Sequence, residues 1–127
     1  MDKLYVTYTK KNKNTDEVYS GRTSGENTNS PEDADRIISA RDKYHHKNKD
    51  GYEKANLDQE SLDKDAIRGR EQLLIEHFGG AKSEDGSSGN SRNSIARTNE
   101  KRDQYINAAL KLFGIISLVL ALIYITF

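Results

Sequence analysis

Cysteine and tryptophan are absent from this chain of 127 residues, and proline and methionine occur once each. Without cysteine there is no disulfide scaffold, no thiolate zinc site and no cysteine nucleophile. A surplus of either charge is also missing: 20 Lys and Arg face 20 Asp and Glu. A protein that holds nucleic acid through bulk charge would carry an excess of basic residues. Any such binding here must be local. Hydrophobic residues make up only 34% of the chain, and part of that share lies in the C-terminal tail. The core of the polar part must be thin and its stability modest. Met1-Asp2-Lys3-Leu4-Tyr5 shows no apolar run after its charges, so no signal peptide is expected. The length suits one domain, and no internal repeat is visible.

What is present reads as an α+β chain. Leu4-Tyr5-Val6-Thr7-Tyr8 and Val18-Tyr19 are β-branched and aromatic. The polar run Lys10–Asp16 between them predicts a β-hairpin. Residues 21–30 are rich in Gly, Ser, Asn and Thr and read as loop. Ser30-Pro31 then opens a helix, with Ser30 as cap, Pro31 in the first position and Asp33 at the positive end. Its apolar side is Ala34, Ile37, Ile38, Ala40 and Tyr44, and its expected end is near His46. A weak strand signal lies in 47–60. A second helix is expected from about Ser61 to Phe78, stopped by Gly79-Gly80. Residues 79–91 read as a mobile loop. A third helix begins near Asn99, with Tyr105, Ala108, Ala109 and Leu112 on its apolar side. The expected architecture is a small antiparallel sheet flanked by helices and followed by an apolar C-terminal helix. The boundary falls at 1–104 for the polar domain and 105–127 for the tail.

From Leu112 to Phe127 no residue is charged. Sixteen helical residues cover about 24 Å, against a bilayer core of about 30 Å. Starting at Ile106 supplies enough length to span, with Lys111 placed to snorkel. Arg97, Lys101 and Arg102 would hold the polar domain on the cytoplasmic side. A membrane anchor is therefore expected, with a buried core helix as the alternative.

Glu71 is the residue most suggestive of chemistry. On a helical wheel it falls within about 40° of Ile67, beside Leu74 and Phe78, whereas Glu76 points the opposite way. A carboxylate on an apolar stripe calls for a partner, either a metal or an arginine. Arg41 and His45 lie four apart at the edge of the first helix's buried face, suited to meet a phosphate. Equally, they suit a solvated basic helix end. Adjacent His45 and His46 diverge by about 100° on a helix, which disfavours a shared metal. Tyr5, Tyr8 and Tyr19 on the hairpin read as core residues when taken singly. Gly21-Arg22-Thr23 reads as a turn that brings backbone close to a ligand.

In this order the pieces resemble the GIY-YIG nuclease family as it occurs in bacterial polymorphic toxins. The first motif is Leu4-Tyr5 or Thr7-Tyr8, and the second is Val18-Tyr19-Ser20-Gly21 with Arg22-Thr23. Arg41 with His45 follows, then Arg68-Gly69-Arg70-Glu71-Gln72, then Asn90-Ser91-Arg92-Asn93-Ser94-Ile95. The likeness covers residues 4–113. No Gly-Ile-Tyr triplet is present, Ser20 replaces an apolar residue, and the apolar tail lies outside the pattern. The resemblance implies a metal-dependent endonuclease hydrolysing phosphodiester bonds in DNA or RNA, acting as a delivered toxin effector with a cognate immunity protein. It implies Mg²⁺ or another divalent cation on Glu71 and proton abstraction by Tyr19 or the first-strand tyrosine, Tyr5 or Tyr8. It also implies charge stabilisation by Arg22 or Arg41, with His45 in the helix motif and Asn93 as a positioning residue. The alternative is a non-enzymatic, membrane-anchored interaction protein.

Overall fold

The computed structural model describes residues 2–115 and 117–120. Strands β1 (Lys3–Lys11), β2 (Val18–Glu26) and β3 (Asn56–Ser61) form an antiparallel sheet in the order β2-β1-β3, so β2 is an edge. The helices are α1 (Asp33–Asp42), α2 (Lys64–His77) and α3 (Arg102–Phe113). The α+β class and the antiparallel sheet follow the expectation, and the weak signal in 47–60 is a real strand.

The hairpin is longer than its apolar residues suggest. The β1–β2 register runs unbroken from Lys11↔Val18 to Lys3↔Glu26, through the stretch expected as loop. Small residues serve a strand here because a helix packs directly on it. A Cβ at Gly25 would fall 2.6 Å from Ile37 Cγ1. Asn12 closes the turn, its side-chain oxygen accepting from the backbone N–H groups of Asn14 and Thr15.

Alternation along β1 sends Leu4, Val6 and Tyr8 to one face, where they pack on Ala34, Ile37 and Ile38 of α1. Each such side chain contributes roughly 1.5–3 kcal/mol when fully buried. Helix α1 is shorter than expected at both ends. At its start the Asp33 carboxylate, not Ser30, organises the turn, accepting from the Thr28 and Ser30 backbone N–H groups at 2.7 and 3.2 Å. The bond from the Thr28 hydroxyl first, then Arg36 and those two backbone bonds, hold the Asp33 pKa far below its usual value against the effect of burial. At its end the Asp42 carboxylate pairs with Lys10, which is fully buried and also donates to Asn48 Oδ1 at 2.7 Å. Asp42 further accepts from Ala55 N at 3.0 Å. These bonds fix the turn at 43–48 and leave Tyr44, expected on the apolar side, 81% exposed.

Helix α2 lies between the sheet and α3. Asp63 caps it, accepting from Asp65 N and Ala66 N. A Cβ on Gly69 would fall 1.9 Å from the Tyr105 carbonyl oxygen, so only glycine allows α3 to approach this closely. Arg70 is buried at 1% exposure. Its Nε and Nη2 donate to the two carboxylate oxygens of Asp58, both at 2.7 Å. The third donor group, Nη1, reaches Ser117 Oγ at 2.7 Å.

Two further expectations are corrected. The loop at 79–91 is tied down: Gly89 N donates to Val18 O at 2.8 Å, and Ser88 and Asn90 are buried. Its polar groups are taken up by the edge of β2, which the loop covers. The apolar tail does not continue α3 as one helix. Gly114, at φ +75°, ends α3 after Phe113, and Ser117 turns to Arg70. No helix among the described residues is long and apolar enough to cross a membrane. Residues 116 and 121–127 of the expected anchor lie outside the described residues.

Candidate active site

Tyr8 and Tyr19 reach the same face of the sheet, Tyr8 from the middle strand and Tyr19 from the edge, with ring centroids 6.4 Å apart. Glycine at position 21 makes room. It sits opposite Tyr8 in the register, and a Cβ there would fall 2.4 Å from Tyr8 Cζ. The Tyr8 ring thus passes over the backbone of β2. It meets His45, whose Nε2 lies 2.9 Å from the Tyr8 hydroxyl oxygen.

His45 was expected inside α1 but stands in the turn after it. Its ring stacks on that of His46 at 4.6 Å, because the two are not helical neighbours. His45 Nδ1 accepts from the Lys47 backbone N–H at 3.1 Å. A neutral imidazole with an accepting Nδ1 carries its proton on Nε2, so Nε2–H donates to Tyr8. Burial first, and then the positive charges of Arg41 and Lys10, push the His45 pKa down to about 4. The ring is therefore neutral at pH 7. Tyr8, itself 1% exposed, has its pKa raised by burial and then by Tyr19, with Arg41 opposing. Arg41 is exposed and close enough to both tyrosines to pull their pKa values down.

The other half of the site comes round the β2 edge from α2. Glu71 is 9% exposed, as its place on the wheel requires, and Glu76 is exposed and pairs with Arg102. The Glu71 oxygen Oε1 accepts from Arg22 Nε at 3.0 Å and from the Ser94 hydroxyl. The arginine partner of Glu71 is therefore present, and the carboxylate also lines a cleft. Burial raises the Glu71 pKa, while Ser94 and Arg22 hold it down.

That cleft, of about 320 Å³, is lined by Tyr19, Glu71, Asn93 and Lys47 among others. Asn93 Oδ1 accepts from Gln72 Nε2 at 2.9 Å, while Gln72 Oε1 accepts from Ile95 N at 3.0 Å. One buried amide on α2 therefore holds the whole asparagine segment. Asn90 clamps the same segment to the sheet, accepting from Ser20 N at 2.9 Å and donating to Ser20 O at 2.8 Å. It bonds the β2 edge as a further strand would.

Of the candidate residues, the structure brings Tyr8, Tyr19 and His45 together, with Arg41 beside them, and sets Glu71 and Asn93 on the adjoining cleft, while Arg22 reaches Glu71 from the other side of the sheet. Tyr5 is set apart. It faces the opposite side of the sheet, in a separate cleft with Lys3, Arg22, Lys64 and Ile67. Sequence reasoning passed over Ser94, Gln72 and Asn90. Only the Asn-Ser-Arg-Asn-Ser run pointed to their segment, and nothing in it distinguishes the residue that bonds Glu71 from the one that bonds the sheet.

The donor set can be tested against a divalent cation. Among the described residues no group of three or more acidic or histidine side chains converges. Glu71 Oε1 is engaged by Arg22 and Ser94. Its second oxygen makes no hydrogen bond among the described residues. One free carboxylate oxygen at a polar cleft fits a hard ion that keeps most of its waters and takes its remaining ligands from substrate phosphate. No family model matches the chain, and no curated protein or solved structure matches it either.

Proposed function

We propose that the protein is a phosphodiester-hydrolysing nuclease acting on DNA or RNA, with Glu71, Tyr19 and Asn93 in contact with substrate. The observation that carries this reading is convergence. Tyr19 of β2, Glu71 of α2 and Asn93 of the following loop, far apart in sequence, line one cleft. They stand in the order that the GIY-YIG resemblance implies. On the same reading the chain is the effector portion of a toxin, and an immunity protein would cover this cleft.

A divalent cation such as Mg²⁺, held through Glu71, would polarise a phosphate oxygen and lower the pKa of nearby hydroxyls. The remaining steps belong to the chain. Tyr19 faces the cleft, and its hydroxyl accepts the proton of the attacking water once ionised. Burial and the Glu71 charge raise its pKa and Arg41 lowers it, so its ionisation depends on positive charge nearby. Tyr8 is too buried to touch substrate. It acts as a positioning residue, holding its ring against Tyr19 through the bond from His45. Arg22 keeps Glu71 in place from the Tyr5 side of the sheet and does not line the Glu71 cleft. Lys47, on the cleft wall, adds a further cation.

The test uses the full chain with plasmid DNA and total RNA, in Mg²⁺ and in EDTA, beside its Glu71→Ala variant. Cleavage that needs both the metal and Glu71 is the expected result, with activity falling at least about 100-fold in the variant. Cleavage that survives in folded Glu71→Ala protein removes the site assignment. Absence of cleavage of either substrate by the folded wild type removes the function.

A further inference from the structure

The Glu71 cleft does not end at Asn93. Arg92, Asn93 and Ser94 also line a second, wider cleft of about 600 Å³, together with Arg68, Glu84 and Arg97. The three arginines differ in how their charge is met. Arg97 is neutralised by Glu84, to which it donates twice, at 2.6 and 2.8 Å. Arg68 and Arg92 have no acidic partner among the described residues.

Arg68 is held in an unusual way for a free cation. Its guanidinium carbon lies 4.7 Å from the centroid of the Tyr105 ring, and its Nε is buried without a hydrogen-bond partner. An arginine that stacks by its face keeps its edge donors available for an anion. Arg68 also precedes Glu71 by three residues on α2, so the two side chains emerge as neighbours on the helix. Its charge holds the Glu71 pKa down.

We propose that Arg68 and Arg92 form a second phosphate subsite, which binds the phosphate adjacent to the scissile one on the same nucleic-acid strand. This rests on the nuclease reading. It makes the preferred substrate a polynucleotide chain and not an isolated phosphodiester. It also fits the balanced net charge, because the positive charge is then supplied locally at the cleft and not by a basic surface.

The experiment measures binding without cleavage. The full chain in EDTA is titrated against a fluorescein-labelled single-stranded oligonucleotide, as DNA and as RNA, over a series of NaCl concentrations. Removing one neutralised phosphate lowers the slope of log K against log salt by about 0.7 for a single strand. Arg68→Gln and Arg92→Gln are each expected to reduce the slope by that amount and to weaken binding at fixed salt. Arg68→Lys, which retains the charge, is expected to restore the slope. Arg92 is exposed, so Arg92→Gln decides the matter alone if loss of the Tyr105 stack unfolds Arg68→Gln. An unchanged slope in Arg92→Gln, with the wild type binding and cutting, overturns the subsite and leaves the nuclease standing. A wild type that neither binds the oligonucleotide nor cleaves nucleic acid overturns both.

Discussion

The ring of Tyr8 lies on the backbone of Gly21, its partner across the β1–β2 pair, so closely that a Cβ at position 21 would fall 2.4 Å from Cζ and 2.5 Å from the hydroxyl oxygen. The glycine of the second motif is thus the floor on which the tyrosine of the first motif rests. Gly21→Ala is expected to displace the ring, at a cost of about 1–3 kcal/mol for overpacking. Urea denaturation of Gly21→Ala, Tyr8→Ala and the double variant checks this. The clash vanishes with the ring, so the two effects should be strongly non-additive. Simple additivity would mean that the ring does not rest there.

Stability should fall as pH drops from about 6.5 toward 4, before most carboxylates titrate. The His45 pKa is lowered in the fold to about 4, against about 6.5 for free histidine. The unfolded chain therefore binds more protons in that window, and the contribution is fully present above it. His45 contributes on the order of 2–3 kcal/mol there. His46, whose pKa is also lowered, adds in the same sense. His45→Gln keeps a donor toward Tyr8 and removes the titration. Its unfolding free energy should be flatter between pH 6.5 and 4.5 than that of the wild type, and an equal slope in both would refute the buried neutral ring.

Tyr19 and Tyr8 should separate in kinetics. Tyr19→Phe removes the hydroxyl that faces the cleft and is expected to lower kcat by about 10²–10⁴-fold with little change in KM. Tyr8→Phe removes only a buried hydroxyl bonded to His45, so a smaller loss is expected, on the order of tenfold. The His45 pKa should stay low, read by NMR titration of the imidazole, because burial and the Arg41 and Lys10 charges hold it down and the Tyr8 hydroxyl does not. A larger kinetic loss for Tyr8→Phe than for Tyr19→Phe would reverse their roles.

The sequence made Glu71 legible because a wheel detects a carboxylate among apolar residues. The same wheel missed Arg70 and Gln72. It assumes one solvated face, whereas α2 is enclosed by the sheet, by α3 and by the asparagine segment. The length of β2 was hidden because an edge strand paired through its backbone tolerates Gly, Ser and Thr. His45 was found by type but not by place, since the bonds that end α1, between Lys10, Asp42 and Asn48, join residues far apart in the chain. The choice between Tyr5 and Tyr8 needed the register itself, because one step along a strand moves a side chain to the other face.

Three successive residues of α2 each hold a different part of the molecule. Arg70 holds β3 and the start of the tail, Glu71 holds Arg22 and Ser94, and Gln72 holds the asparagine segment. They diverge by about 100° from one to the next, so together they act as a hub with three spokes. Such a hub is indifferent to many substitutions around it but intolerant of phase. One residue inserted between Asp63 and Gly69 would turn all three spokes at once, detaching tail, strand and loop together. Length in this helix is therefore constrained as well as composition.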